Sequence, residues 1–249
     1  MAWLQGEINW KYVAGSGVAF AYIRAGESNW GEGDLKFQRN FDASREDGVV
    51  AGGYHVFHAA ADPKLQARLL RLRLHDFKPG RDLPPCIDFE WIQGAGCTPQ
   101  AIRTCEAMAD AIGQAFGVAP MLYSSAGYLG DLVKPGSILA GLDLWCAHYG
   151  VGAPKVPAPW KRHTMWQWIG NGGHVAGVPT DCDRDVFNGS RAEFDAWLAG
   201  TAGHLGTADT DPAPATMPSP PLTSESIPRA ESIDSGLTSS VQAAYTLKP

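Results

Sequence analysis

Asp88 and Glu90 stand two residues apart in the run LPPCIDFEW, residues 83–91, among side chains that favour burial. On a strand, residues i and i+2 project from one face with Cα atoms about 6.5 Å apart. Two carboxylates so placed repel, one of them holds its proton to higher pH, and burial strengthens the effect. A protonated acid beside an ionised one suits glycosidic cleavage. One group protonates the leaving oxygen while the other supports positive charge growing on the sugar. The spacing alone does not select sugars over other substrates. The competing reading is an acidic pair that caps a helix or meets arginine at the surface. Pro84-Pro85 and the apolar neighbours favour a strand, and two buried acids without a use would be costly. By this parity Cys86 shares the face of Asp88 and Glu90, whereas Ile87, Phe89 and Trp91 pack outward against helices.

The elements that must position this pair alternate along the chain. Short apolar runs at 18–25, 48–58, 83–91, 118–125, 142–150, 164–170 and 182–189 read as buried strands. Helical segments are expected at 34–47, 62–75 and 98–116, the last opened by a Thr98-Pro99 cap and first turn. Strands alternating with helices imply a parallel α/β sheet with right-handed crossovers, and the later connections are irregular. Seven strands fall one short of a closed (β/α) barrel, so the missing one is expected at the N-terminus. In such a barrel, polar inward residues at strand C-termini line the active-site mouth.

Near residue 200 the composition shifts to Pro, Ser, Thr and Ala, which predicts a barrel over 1–199 and a disordered tail over 200–249. The net charge of −6 argues against a nucleic-acid binder. No apolar run reaches membrane-spanning length. MAWLQGEINW also lacks the basic and apolar regions of a signal peptide. Five cysteines without CxxC spacing indicate neither a zinc site nor a disulfide framework, and reduced thiols are expected. Nine tryptophans are many for 249 residues, and exposed indoles grip the apolar faces of sugar rings.

The blocks LQGEINW, FAYIRAGES, DLKFQRN, GGYHVF, LPPCIDFE, MLYSS, LWCAHYG, MWQW and DCDRDVFNG, in this order, carry a family resemblance. From about Leu4 to Trp197 the chain resembles the glycoside hydrolase family 25 lysozymes, the Chalaropsis-type N-acetylmuramidases. The resemblance implies a TIM-like (β/α) barrel with irregular later strands. It implies cleavage of the β-1,4 bond between N-acetylmuramic acid and N-acetylglucosamine, with the peptidoglycan glycan strand as partner and no cofactor or metal. Glu90 would be the general acid and then the base. Asp88 would position the acetamido group or stabilise the oxocarbenium-like charge, and Asp183 would add a third carboxylate. Tyr54, Tyr123, Trp145, Tyr149 and Trp166 fall on motif positions near strand ends, where they would contact glycan or fill core. Gln167 and Glu27 lie in matched blocks without an assigned role.

The family's first-strand aspartate would align ahead of Met1, and Arg24, Gly26 and Ser28 depart from the family's Lys, Thr and Gly. A different class of reading is therefore a catalytically impaired cell-wall-binding protein. A third is a barrel hydrolase acting on another amino-sugar polymer such as chitin. The expected setting is the cell wall, reached by a monomer whose leader is missing or which waits in the cytoplasm as an endolysin does. His55 and His58, three apart on a strand, would point apart rather than chelate a metal. One of them is expected to face the site. In the basic segment 64–78, Leu65, Leu69 and Leu72 would form the inward stripe of an outer helix.

Overall fold

All seven apolar runs are strands of one sheet in a computed structural model that describes residues 3–203 apart from 30, 32 and 92–95. They are β1 (Phe20–Glu27), β2 (Val50–Val56), β3 (Cys86–Asp88), β4 (Met121–Ser124), β5 (Leu144–Ala147), β6 (Met165–Ile169) and β7 (Arg184–Phe187). The sheet runs in chain order from β1 to β7. β1 to β6 pair in parallel, and β7 returns antiparallel to β6, a departure from the wholly parallel expectation. The sheet curls on itself. Tyr22 of β1 stacks on Trp145 of β5 with ring centroids 4.7 Å apart, although four strand spacings of about 4.8 Å would separate them in a flat sheet.

Helices cover the outer face: α1 (Trp10–Gly15), α2 (Phe37–Glu46), α3 (Pro63–Arg73), α4 (Pro99–Phe116) and α5 (Ala126–Leu129). The expected cap of α4 is present, with the Thr98 hydroxyl accepting from the Ala101 N–H and Pro99 in the first turn. Gly117 in the left-handed region (φ 71°) ends that helix, as the absence of a Cβ allows. In α3 the inward face consists of Gln66, Ala67 and Leu70, continued by Leu74. Leu72 is 61% exposed, so the stripe expected at Leu65, Leu69 and Leu72 is the wrong one. Leucines occupy both faces of this helix, so periodicity alone could not choose between them.

Two apolar clusters flank the sheet. The outer one packs Ala21, Ile23, Ile87, Phe89 and Leu122 against the helices. The inner one fills the curl with Phe20, Tyr22, Tyr54, Cys86, Met121, Tyr123, Trp145, Met165 and Phe187. A last helix, α6 (Arg191–Gly200), plugs the end of the curl away from the strands' C-termini. Its Phe194 stacks on Phe20 at 5.5 Å and meets Phe187 edge-on at 5.3 Å. The Ser190–Glu193 capping box starts this helix. Gly52 admits the Tyr22 ring, since a Cβ there would lie 2.6 Å from it. Among the described residues, no helix is long and apolar enough to cross a membrane, and all five cysteines are free thiols. Beyond Gly203 the tail expected from composition lies outside the described residues.

Candidate active site

β3 is only three residues long, and its end creates the site. Phe89 still donates its N–H to the Tyr123 carbonyl, but the Ser124 hydroxyl takes the Phe89 carbonyl at 2.7 Å and the ladder stops. Ile87 and Phe89 face the helices, and Cys86 lies in the inner cluster, as parity predicts. Asp88 is 1% exposed on the inner side, and half-buried Glu90 lies within electrostatic reach of it. Burial first, and then repulsion from Glu90, Asp183 and Glu27, holds the Asp88 carboxyl well above the usual carboxylate range. The raised Asp88 carboxyl runs against the expectation that Asp88 carries the charge. Asp88 lies deeper than Glu90. Trp91 lies beyond the strand's end: it meets the outer packing edge-on through Tyr128 of α5 but is 57% exposed.

Asp183 joins this pair because β7 runs backwards. An antiparallel last strand begins at the end where the parallel strands finish, so the residue before β7 sits at the mouth. Asp183 is 2% exposed. Burial, with repulsion from Asp185 and Glu90, pushes it up to about 9. Asp185, missed in the sequence, lies two residues on and pairs with Gln167. Burial raises it to about 8, against the Trp145 indole that donates to it at 2.8 Å. Alternation through Asp183, Asp185 and Phe187 was the available signal. Among the described residues, Asp88 Oδ1 and Asp183 Oδ2 are buried and lack a hydrogen-bond partner.

A bulge brings in one more carboxylate. Arg24 pairs with Tyr54, but Gly26 pairs with His55 and Glu27 with Val56, so β1 slips by one residue. Simple alternation would send Glu27 outward with Ala21, Ile23 and Ala25. After the slip it shares the inner face of Val56 and Asp88. Glu27 accepts from His58 Nε2 at 3.0 Å and meets Arg24 at 3.6 Å, and Arg24 meets buried Asp34 at 3.3 Å. The hydrogen bond from His58 leads in holding the Glu27 carboxyl below its ordinary range, against the cost of burial. His55 does not face the site. Its Nε2 donates to the Ser28 carbonyl at 2.9 Å, and burial lowers it to about 4, so it is neutral.

The five aromatic candidates divide. Tyr123 and Tyr149 meet at the mouth, their hydroxyls 3.0 Å apart and each 2.7 Å from Gln167 Oε1. Tyr149 is 47% exposed, and its ring lies so close to Gly170 that a Cβ there would be 2.7 Å away. Tyr54 is fully buried within electrostatic reach of Asp88 and Asp183. Trp145 is also fully buried, between Tyr22, Tyr123 and Asp185, and fills core. Trp166 pairs with Cys146 and Val186 on the opposite face from Gln167, and its indole donates to the His148 carbonyl. It is not brought together with the carboxylates. No group of three or more His, Cys, Asp or Glu among the described residues is arranged to hold a metal ion.

Buried carboxyl groups close together, with tyrosine hydroxyls on one rim, can deliver and remove protons at a sugar linkage. A sequence profile of glycosyl hydrolases family 25 matches residues 1–178. The chain is 30% identical over 206 residues to Lysozyme M1 of Streptomyces globisporus, covering 80% of this chain and 69% of that protein. It is 32% identical to the uncharacterized protein YegX of Escherichia coli K12 over 208 residues, 79% of this chain and 71% of that one. The crystal structure of a bacterial lysozyme from Streptomyces coelicolor superposes with a TM-score of 0.72 at 28% identity. That match covers 81% of this chain and 96% of the other. The chain thus belongs to family 25 of the glycosyl hydrolases and is a glycoside hydrolase of the lysozyme type.

Proposed function

We propose that the chain hydrolyses the N-acetylmuramic acid–N-acetylglucosamine linkage of peptidoglycan through Glu90, with Asp88 and Asp183 beneath it. The observation that carries this reading is the gathering of Asp88, Glu90 and Asp183 at one mouth within mutual electrostatic range. Glu90 is the least buried of the three, so it is the one positioned to reach a glycosidic oxygen and then a water. Asp88 acts from below. Its unpaired Oδ1 is a buried acceptor, suited to the N–H of an acetamido group on the sugar being cleaved. Tyr123 and Tyr149 supply hydroxyls on the far rim, and Asp183 completes the floor. The enzyme acts at the cell wall as a monomer, without membrane insertion, whether exported or released from the cytoplasm.

Clearing of a purified peptidoglycan suspension and release of reducing ends, compared between wild type and Glu90→Gln, test the assignment. The expected loss is at least about 100-fold with folding intact. Equal clearing by both proteins overturns the role of Glu90. No clearing by either, with both pelleting with the wall, turns the reading into that of a wall-binding protein.

A further inference from the structure

We infer that Trp91 is a sugar-stacking platform for a glycan residue outside the pair joined by the scissile bond; this rests on the muramidase reading. Trp91 directly follows Glu90, and 57% of it is open to solvent. An indole so exposed next to Glu90 is open to a ligand held there.

The ring is held in place. Tyr128 meets it edge-on at 5.3 Å and 66°, Phe89 meets Tyr128 at 5.1 Å and 88°, and Phe57 meets Phe89 at 5.2 Å and 82°. This row of rings runs from the outer core to the rim. On another side Gly96 comes close enough that a Cβ would stand 3.4 Å from the indole. A ligand that lands on a braced ring spends little free energy ordering it.

The chemistry selects the occupant. A pyranose offers an apolar C–H face that fits one flat ring, with hydroxyls around its edge to meet polar neighbours. Beside Trp91 lies a mouth of carboxyl groups and tyrosine hydroxyls, which offers hydrogen-bond partners to such a ligand. Trp91 leans on α5, the helix after β4, and half-exposed Tyr149 follows β5. The two open aromatics thus stand on loops that follow parallel strands of the sheet, Trp91 after β3 and Tyr149 after β5.

Initial rates on peptidoglycan and tryptophan fluorescence titrations with N-acetylglucosamine trimer, on wild type, Trp91→Ala and Trp91→Phe, test the platform. Trp91→Ala should raise the apparent KM about tenfold and leave kcat within about twofold, and Trp91→Phe should recover most of the loss. The trimer should change wild-type fluorescence and change that of Trp91→Phe much less. An unchanged KM in Trp91→Ala, or a fall in kcat alone, overturns the platform. If wild type releases no reducing ends, the muramidase reading fails while the titration still decides. A signal lost with Trp91 then supports a sugar platform, and a signal retained removes it.

Discussion

On the β1–β2 side of the mouth the polar groups are held by charge, and on the β4–β6 side they are held by neutral hydrogen bonds. Arg24 lies between Asp34 and Glu27, and Glu27 also takes a hydrogen bond from His58. Opposite, Tyr123, Tyr149 and Gln167 bring three oxygens within 2.7–3.0 Å of one another. Two hydroxyl protons serve those three contacts, so one contact is always without a proton. The charged side is stiff because each buried charge depends on another. The neutral side can redistribute its two protons when a sugar hydroxyl or acetamido group arrives, at much lower cost.

Breaking the charged side should do the most damage. Arg24→Met removes the guanidinium 3.3 Å from buried Asp34 and should destabilise the fold by about 3–5 kcal/mol, read as a lowered midpoint in urea unfolding. A loss below about 1 kcal/mol would mean that the two sides are held alike.

The carboxylate floor between the two sides adds a pH dependence with a definite sign. Asp183 titrates near 9 when folded and in the ordinary aspartate range, near 4, when unfolded. The folded state therefore binds more protons throughout this interval, and its stabilisation by Asp183 falls as pH rises from about 4 to about 9. Thermal unfolding followed across that range should show a decline, and Asp183→Asn should make the decline shallower. A wild-type profile that rises with pH would contradict the raised value.

On the neutral side, Gln167→Leu strips the acceptor from both tyrosines and should cost about 1–2 kcal/mol, less than the arginine change. Urea midpoints of the two variants measured together rank the two sides directly. The smallest effect belongs to Ser28, whose φ of 50° places an L side chain in the left-handed region. Ser28→Gly should gain roughly 0.5 kcal/mol, because relief of strain exceeds the added chain entropy of glycine. Calorimetric melting checks it. A loss on this substitution would show that the Ser28 side chain contributes to the charged side.

Much of the site was legible before any coordinates. Period-two spacing put Asp88 on the inner face with Cys86 and sent Ile87 and Phe89 outward, because strand side chains alternate whatever the sheet later does. The same rule put Trp91 on the outer side, where it meets Tyr128, but missed its exposure, since it assumed a strand that continued past Asp88. Asp183 was chosen through family resemblance, and the neighbouring Asp185 was passed over. The inward turn of Glu27 could not be read at all, because a one-residue bulge reverses every face after it.

Local chemistry written in the chain thus determined the strands, the cap at Thr98 and the inward face of Asp88. Those features depend on neighbours a few residues away, so the sequence carries them by itself. The tertiary structure decided which carboxylates meet, how deeply each lies and which aromatics stay open. A reversed last strand, a bulge in the first and a three-residue third strand set those outcomes. Each arises from hydrogen bonding between distant segments, and free energies of desolvation and repulsion depend on that assembly rather than on spacing along the chain.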